Sequence, residues 1–204
     1  MNNTSFTVVV AGAALMTSAS AVTLTPVGTG ADSSFLVLET PQLGILGFEV
    51  FYDFDPSTPL GTTDLLRIIE GSEPLFSFDA SNFPPDSLPE QPNEFLDSVT
   101  FGSVTEAQPS DFSAFFSFFG AGGQTGTVQN ASGDFVPDPQ PISSDSFSFT
   151  AGLSAPFRIV EPGSTDAIVF GPGGTVPSFA PIPEPSAALL LFVSCGLLAR
   201  RTRQ

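Results

Sequence analysis

Asp53, Asp55, Ser57 and Asp64 are the residues whose types and spacing come nearest to a chemical site in this chain. Oxygen donors at alternate positions, with a carboxylate at the twelfth, are what a calcium loop offers a hard cation. Such a loop needs a glycine at its sixth position for the sharp turn. This chain has Thr58 there, followed by Pro59. The segment therefore reads as an acidic strand end and turn; no metal ligand is assigned and no cofactor is expected, with calcium the one candidate ion. Other chemistry is removed by missing residue types. The chain has no His and no Lys, and its single Cys, Cys195, lies in an apolar run near the C-terminus. Ser-His-Asp triads, Cys-His pairs, Schiff bases and ordinary zinc sites are all out of reach of the rest of the chain. Two carboxylates can run glycoside hydrolysis, but in so acidic a chain such pairs arise by chance. No catalytic residue is assigned, and the chain reads as non-enzymatic.

The charge balance narrows the partners. Twenty acidic side chains lie between Val22 and Pro181, against Arg67 and Arg158 alone, a net −18. A surface of that sign repels phosphate backbones, so no nucleic acid is expected as partner. The same excess keeps a domain soluble by repulsion. Unlike disordered acidic chains, this one carries 22 Phe and 41 % apolar residues, enough for a core. Sugar-binding platforms favour Trp and Tyr. Here Trp is absent and Tyr52 stands alone, on a strand face whose pattern is that of a buried one. Asn130-Ala131-Ser132 matches a glycosylation sequon by pattern.

The elements that must position these residues read as short strands. Phe48, Val50, Tyr52 and Phe54 fall on one face at period two, and residues 98–104 and 145–150 alternate in the same way. Further β-forming runs occupy 35–38, 75–78, 157–160 and 167–170, with Gly, Pro, Asp and Ser between them. This pattern predicts an all-β fold, a single antiparallel β-sandwich or jelly-roll-like domain. Two stretches are ambiguous. Phe112, Phe115, Phe116 and Phe119 sit at helical spacing between Ser110 and Gly120, yet the run would serve equally as a buried strand; residues 62–70 pose the same choice. One or two short helices are expected there at most. The proline-rich 83–95 reads as a long loop, and 120–126 and 171–174 as glycine turns rather than phosphate loops. No repeat of fixed period is apparent.

The two ends carry a different kind of signal. Residues 8–16 form an apolar stretch, followed by Ala19-Ser20-Ala21, the small-x-small pattern that signal peptidase reads. Cleavage is expected after Ala21, with Ala19 and Ala21 as the recognised positions, although the preceding residues contain no Lys or Arg. At the other end, Pro183-Glu184-Pro185 precedes the apolar run 187–199, and Arg200, Arg201 and Arg203 follow it. The prolines fix φ and keep helix from running back into the body. Thirteen residues of helix reach about 20 Å, short of the roughly 30 Å hydrocarbon core, and snorkelling arginines bring it closer to a marginal span. The arginines would stay on the cytoplasmic side.

This cassette resembles the PEP-CTERM sorting signal of exported bacterial proteins. The resemblance covers the last 24 residues or so and the signal peptide. It implies recognition of Pro183, Glu184, Pro185 and the Arg200, Arg201, Arg203 cluster by an exosortase-like membrane transpeptidase, with transient membrane insertion through the C-terminal helix. It further implies release to the cell surface or extracellular matrix, often in an exopolysaccharide setting. The resulting division is a signal peptide at 1–21, an acidic β-rich domain at 22–174, a Pro-rich linker at 175–182 and a sorting tail at 183–204. The expected function is that of an exported, non-enzymatic envelope or matrix protein. The alternatives are a surface adhesin or glycan-binding module supported by calcium and, last, a secreted carboxylate-based hydrolase.

Overall fold

The computed structural model describes residues 22–82, 94–132, 134–150 and 157–182. The signal-peptide helix, the Ala19 and Ala21 cleavage positions, the Pro183-Glu184-Pro185 motif, the apolar run 187–199 and Arg200, Arg201 and Arg203 all lie outside the described residues. So does nearly all of the proline-rich loop.

In chain order the strands are β1 (Leu24–Gly28), β2 (Asp32–Thr40), β3 (Gly44–Tyr52), β4 (Phe76–Asn82), β5 (Glu94–Phe101), β6 (Val104–Ala107), β7 (Phe115–Ala121), β8 (Gln124–Thr125), β9 (Thr127–Gln129), β10 (Phe135–Pro137), β11 (Ser148–Phe149), β12 (Arg158–Ile159) and β13 (Thr165–Gly171). Among the described residues one helix, α1 (Thr62–Ser72), interrupts them. A six-stranded sheet runs β1-β3-β2-β13-β7-β11, a three-stranded sheet runs β4-β5-β6, and two short pairs, β10-β9 and β12-β8, complete the set. The all-β expectation holds at that level. The purely antiparallel one does not: β1 pairs parallel with β3, and β13 pairs parallel with β2.

Local geometry explains the first exception. Residues 29–31 carry the chain from β1 past the end of β3 to β2, two strand spacings of about 4.8 Å each. So short a link reverses direction, leaving β1 antiparallel to β2 and therefore parallel to the strand between them. The crossing runs tight over β3, with Gly30 at φ 154; a Cβ there would collide with the Tyr52 backbone. The second exception joins strands more than 120 residues apart, whose direction no hairpin constrains.

The large sheet is covered on both faces. One face sends Leu36, Leu38, Phe48, Val50, Ile168 and Phe170 into a core shared with Leu65, Leu66 and Ile69 of α1 and with Phe76, Leu96 and Val99 of the small sheet. The Phe48 and Phe76 rings meet edge to face at 5.7 Å across this junction. On the opposite face, Val37, Phe119, Ala167 and Val169 pack with Phe179. Both faces being buried explains why 35–38 and 167–170 are continuous apolar runs rather than alternating ones.

The two ambiguous stretches resolve differently. At 62–72 a helix forms, Asp64 Oδ2 accepting the Gly61 N–H at 2.9 Å and the apolar stripe facing the core. At 110–121 only β7 is regular. Asp111 Oδ1 accepts the Ser113 N–H at 3.0 Å, and Phe112 sits at φ 54 with its ring exposed, which breaks any helix before Phe115. From there every β7 residue pairs with β13, placing Phe116 against Phe170 at 4.7 Å.

Residues 175–182, expected as a linker, lie against the large sheet. Glu39 Oε2 accepts the Ser178 N–H at 2.9 Å, Thr165 Oγ1 accepts the Ile182 N–H at 3.2 Å, and Phe179 is buried with its ring edge to face with Phe147 at 5.5 Å. Among the described residues no helix is long and apolar enough to cross a membrane.

Candidate functional site

The acids of the calcium-like segment point to separate duties. Asp53 Oδ1 accepts the Ala31 N–H at 3.0 Å and so pins the β1–β2 link to the end of β3. Asp55 Oδ1 accepts both the backbone N–H of Ser57, at 2.8 Å, and its hydroxyl, at 2.7 Å. These bonds, the hydroxyl's first, hold the Asp55 carboxyl below the ordinary range. Asp64 caps α1 and meets Arg67 at 2.8 Å. No group of three or more His, Cys, Asp or Glu gathers to hold a metal among the described residues.

A different polar cluster lies at one end of the large sheet, on its core face. Arg158 and Asp166 form an ion pair with side chains 0 % and 1 % exposed. Nε donates to Oδ1 at 2.7 Å and Nη2 to Oδ2 at 3.1 Å, the two-pronged geometry that suits a guanidinium to a carboxylate. Thr62 donates a third bond to Oδ1 at 2.6 Å, and Arg158 Nη1 donates to the Gly122 carbonyl at 3.0 Å. The guanidinium lies over Gly120, where any Cβ would overlap it.

Beside the pair, Ser34 Oγ donates to the Glu161 carbonyl at 2.8 Å and shares a bond of 2.7 Å with Tyr52 OH. Since the serine has one proton, the phenol is the donor of the second bond. Gln124 Nε2 donates to the Glu161 carboxylate. The cluster ties β2, β3, β8, β12, β13 and α1 together. Every oxygen of Asp166 is engaged and no solvent reaches the pair, so its chemistry is structural. Removing one partner of such a buried pair costs about 3–5 kcal/mol, because the other is left charged and alone. The signal in the sequence was Arg158 itself, a lone cation inside the apolar run 157–160.

A cleft of about 470 Å³ lies where residues 125–128, 141–143 and 148–150 meet. Thr127, Ser143, Ser148, Phe149, Thr150 and Phe157 are among the residues that line it, and none of its described lining residues is charged. In the sequence, the 145–150 alternation, the β-forming run 157–160 and the glycine turn 120–126 each touched some of these residues, and none marked them as one site.

Comparison with protein-family models, with curated proteins and with solved structures returns no match.

Proposed function

We propose that this chain is an exported, non-enzymatic envelope or extracellular-matrix protein, sorted through its C-terminal cassette. The observation that carries the reading is the order of that cassette: Pro183-Glu184-Pro185, then the apolar run 187–199, then Arg200, Arg201 and Arg203. In this reading Ala19 and Ala21 guide removal of residues 1–21 by signal peptidase. The apolar run then holds the protein transiently in the inner membrane, arginines inward, until an exosortase-like transpeptidase acts at the motif and the domain passes to the envelope surface or beyond. The charge distribution agrees with a transient hold. A body of net −18 is repelled by anionic lipid headgroups, while the arginine cluster is attracted to them.

The body we take in its finer form as a β-sandwich. The core shared by the large sheet, the small sheet and α1 supports two facing layers. Ile182, the residue before the motif, is bonded to Thr165 on the body.

Intact-mass measurement of the mature protein from its host tests the sorting reading. The expected species lacks residues 1–21 and 200–204, and Glu184→Ala or loss of the arginines leaves the precursor to accumulate. A mature protein that retains Met1 or the arginine cluster overturns it.

A further inference from the structure

Residues 175–182 are held to the body differently from the strands around them. The backbone bonds that cross from this segment to β2 and β13 end on side chains. The Ser178 N–H donates to Glu39 Oε2 at 2.9 Å. The Ile182 N–H donates to Thr165 Oγ1 at 3.2 Å, and that hydroxyl donates back to the Ile182 carbonyl at 3.3 Å. One buried ring, Phe179, anchors the segment in the second apolar cluster, with Val37, Ala167 and Val169. By contrast, β13 is paired on both sides, by β2 and by β7.

The main core lies on the other face of the large sheet, where Leu36, Leu38, Ile168 and Phe170 pack. Lifting 175–182 off the sheet therefore leaves that core and the strand ladders in place. A segment with few attachments, on a face the main core does not share, opens locally at a smaller cost than the whole fold.

Ile182 is covalently joined to Pro183, the first residue of the sorting motif. An enzyme that opens a peptide bond takes up residues on each side of it as extended backbone. Residues whose backbone groups and side chains are committed to a folded body are not free to enter such a site. Ile182 is committed through both of its backbone groups, and Phe179 through its ring.

We infer that residues 175–182 are a strap that regulates processing at the motif. Docked, the strap withholds the chain preceding Pro183 from the transpeptidase, and its release from the large sheet sets the rate. The inference rests on the sorting reading above. Processing then follows the fraction of molecules whose strap is open, so whatever loosens the strap speeds it. The strap's own step is non-covalent.

Pulse-chase of the full-length precursor in its host, read as conversion to the mature mass, tests the inference. Phe179→Ala should speed conversion about threefold or more, and Thr165→Val should act in the same direction. An insertion of about eight Gly and Ser residues between Ile182 and Pro183 supplies free chain without undocking. It should speed conversion as well, and Phe179→Ala should add nothing on that background. Val99→Ala loosens the main core and leaves the strap's contacts alone, so it should not speed conversion; equal acceleration by it would mean that global unfolding governs, and overturns the proposal. Hydrogen exchange of the purified precursor reads the strap without the enzyme. The Ser178 and Ile182 amides should exchange at least about tenfold faster than those of β13 and at least about tenfold slower than free chain. Exchange at either limit overturns the proposal, as does conversion indifferent to both Phe179→Ala and the insertion. Conversion that needs Arg200, Arg201 and Arg203 but ignores the strap variants overturns the strap alone. Conversion that ignores the arginines overturns the sorting reading, and the strap's role with it.

Discussion

Tyr52 reports on the buried polar cluster more directly than any other side chain. Its phenol donates to Ser34, whose own proton is committed to the Glu161 carbonyl. Burial pushes its pKa from 10.0 up to about 12, and the carboxylates of Asp166, Asp32 and Glu161 push the same way. The Ser34 hydroxyl opposes the shift, but only by turning its proton away from Glu161 toward a phenolate. With the folded value above the unfolded one, the native state retains a proton that the unfolded chain has lost between pH 10 and about 12. Stability from this group is therefore complete below pH 10 and falls as pH rises through about 12. The chain has one Tyr and no Trp, so phenolate absorbance reads this residue alone. The expected titration midpoint is near 12, and Tyr52→Phe should flatten the alkaline loss of stability. A midpoint at the ordinary value of 10 in the folded protein would mean that the phenol is not enclosed.

At the scale of elements, the segment 175–182 has the least obvious role. Phe179 is 6 % exposed and packs on Val37, Ala167 and Val169 in the second core, far along the chain from β2. Truncating a buried Phe to Ala typically costs 3–5 kcal/mol. About 3 kcal/mol, the lower end of that range, is expected for Phe179→Ala in urea denaturation, while the exposed Val176→Ala should change stability by less than about 0.5 kcal/mol. Equal, negligible effects for the two would mean that the segment is a free linker after all. Pro177 and Pro181 made this segment read as a linker, and proline content does not distinguish a free strand from a docked one. Where burial was one-sided, as at Phe48, Val50 and Tyr52, period-two spacing showed the strand and its inner face. Where both faces were covered, as in β7, the phenylalanines satisfied helical and extended spacing equally, and only pairing with β13 separates them. Parallel pairing of β2 with β13 left no local trace. Nor did the partnership of Arg158 with Asp166, which joins side chains of β12 and β13.

For the whole molecule, the question is whether charge repulsion or ion pairing dominates its response to salt. The described body holds two cations. Arg158 is fully buried with Asp166, where mobile ions do not reach it. Arg67 is half exposed and pairs with Asp64 and Glu94; pairs of that kind contribute about 0–1 kcal/mol, which salt diminishes. Against that small loss stand twenty acids between Val22 and Pro181 with almost nothing to neutralise them. Their mutual repulsion is present over the whole surface in the folded state and relaxes as the chain expands, so it destabilises the fold. Raising ionic strength from about 0.01 M to about 0.5 M contracts the screening length from roughly 30 Å to a few Å, which removes most of this repulsion and little else. The melting temperature of the protein is therefore expected to rise by several degrees, about 1–2 kcal/mol for a domain of this size. Sodium chloride and sodium perchlorate at matched, low concentrations should give the same early rise, since screening depends on ionic strength and not on the identity of the anion. A melting temperature that falls with salt would mean that the Arg67 pairs outweigh the acidic surface.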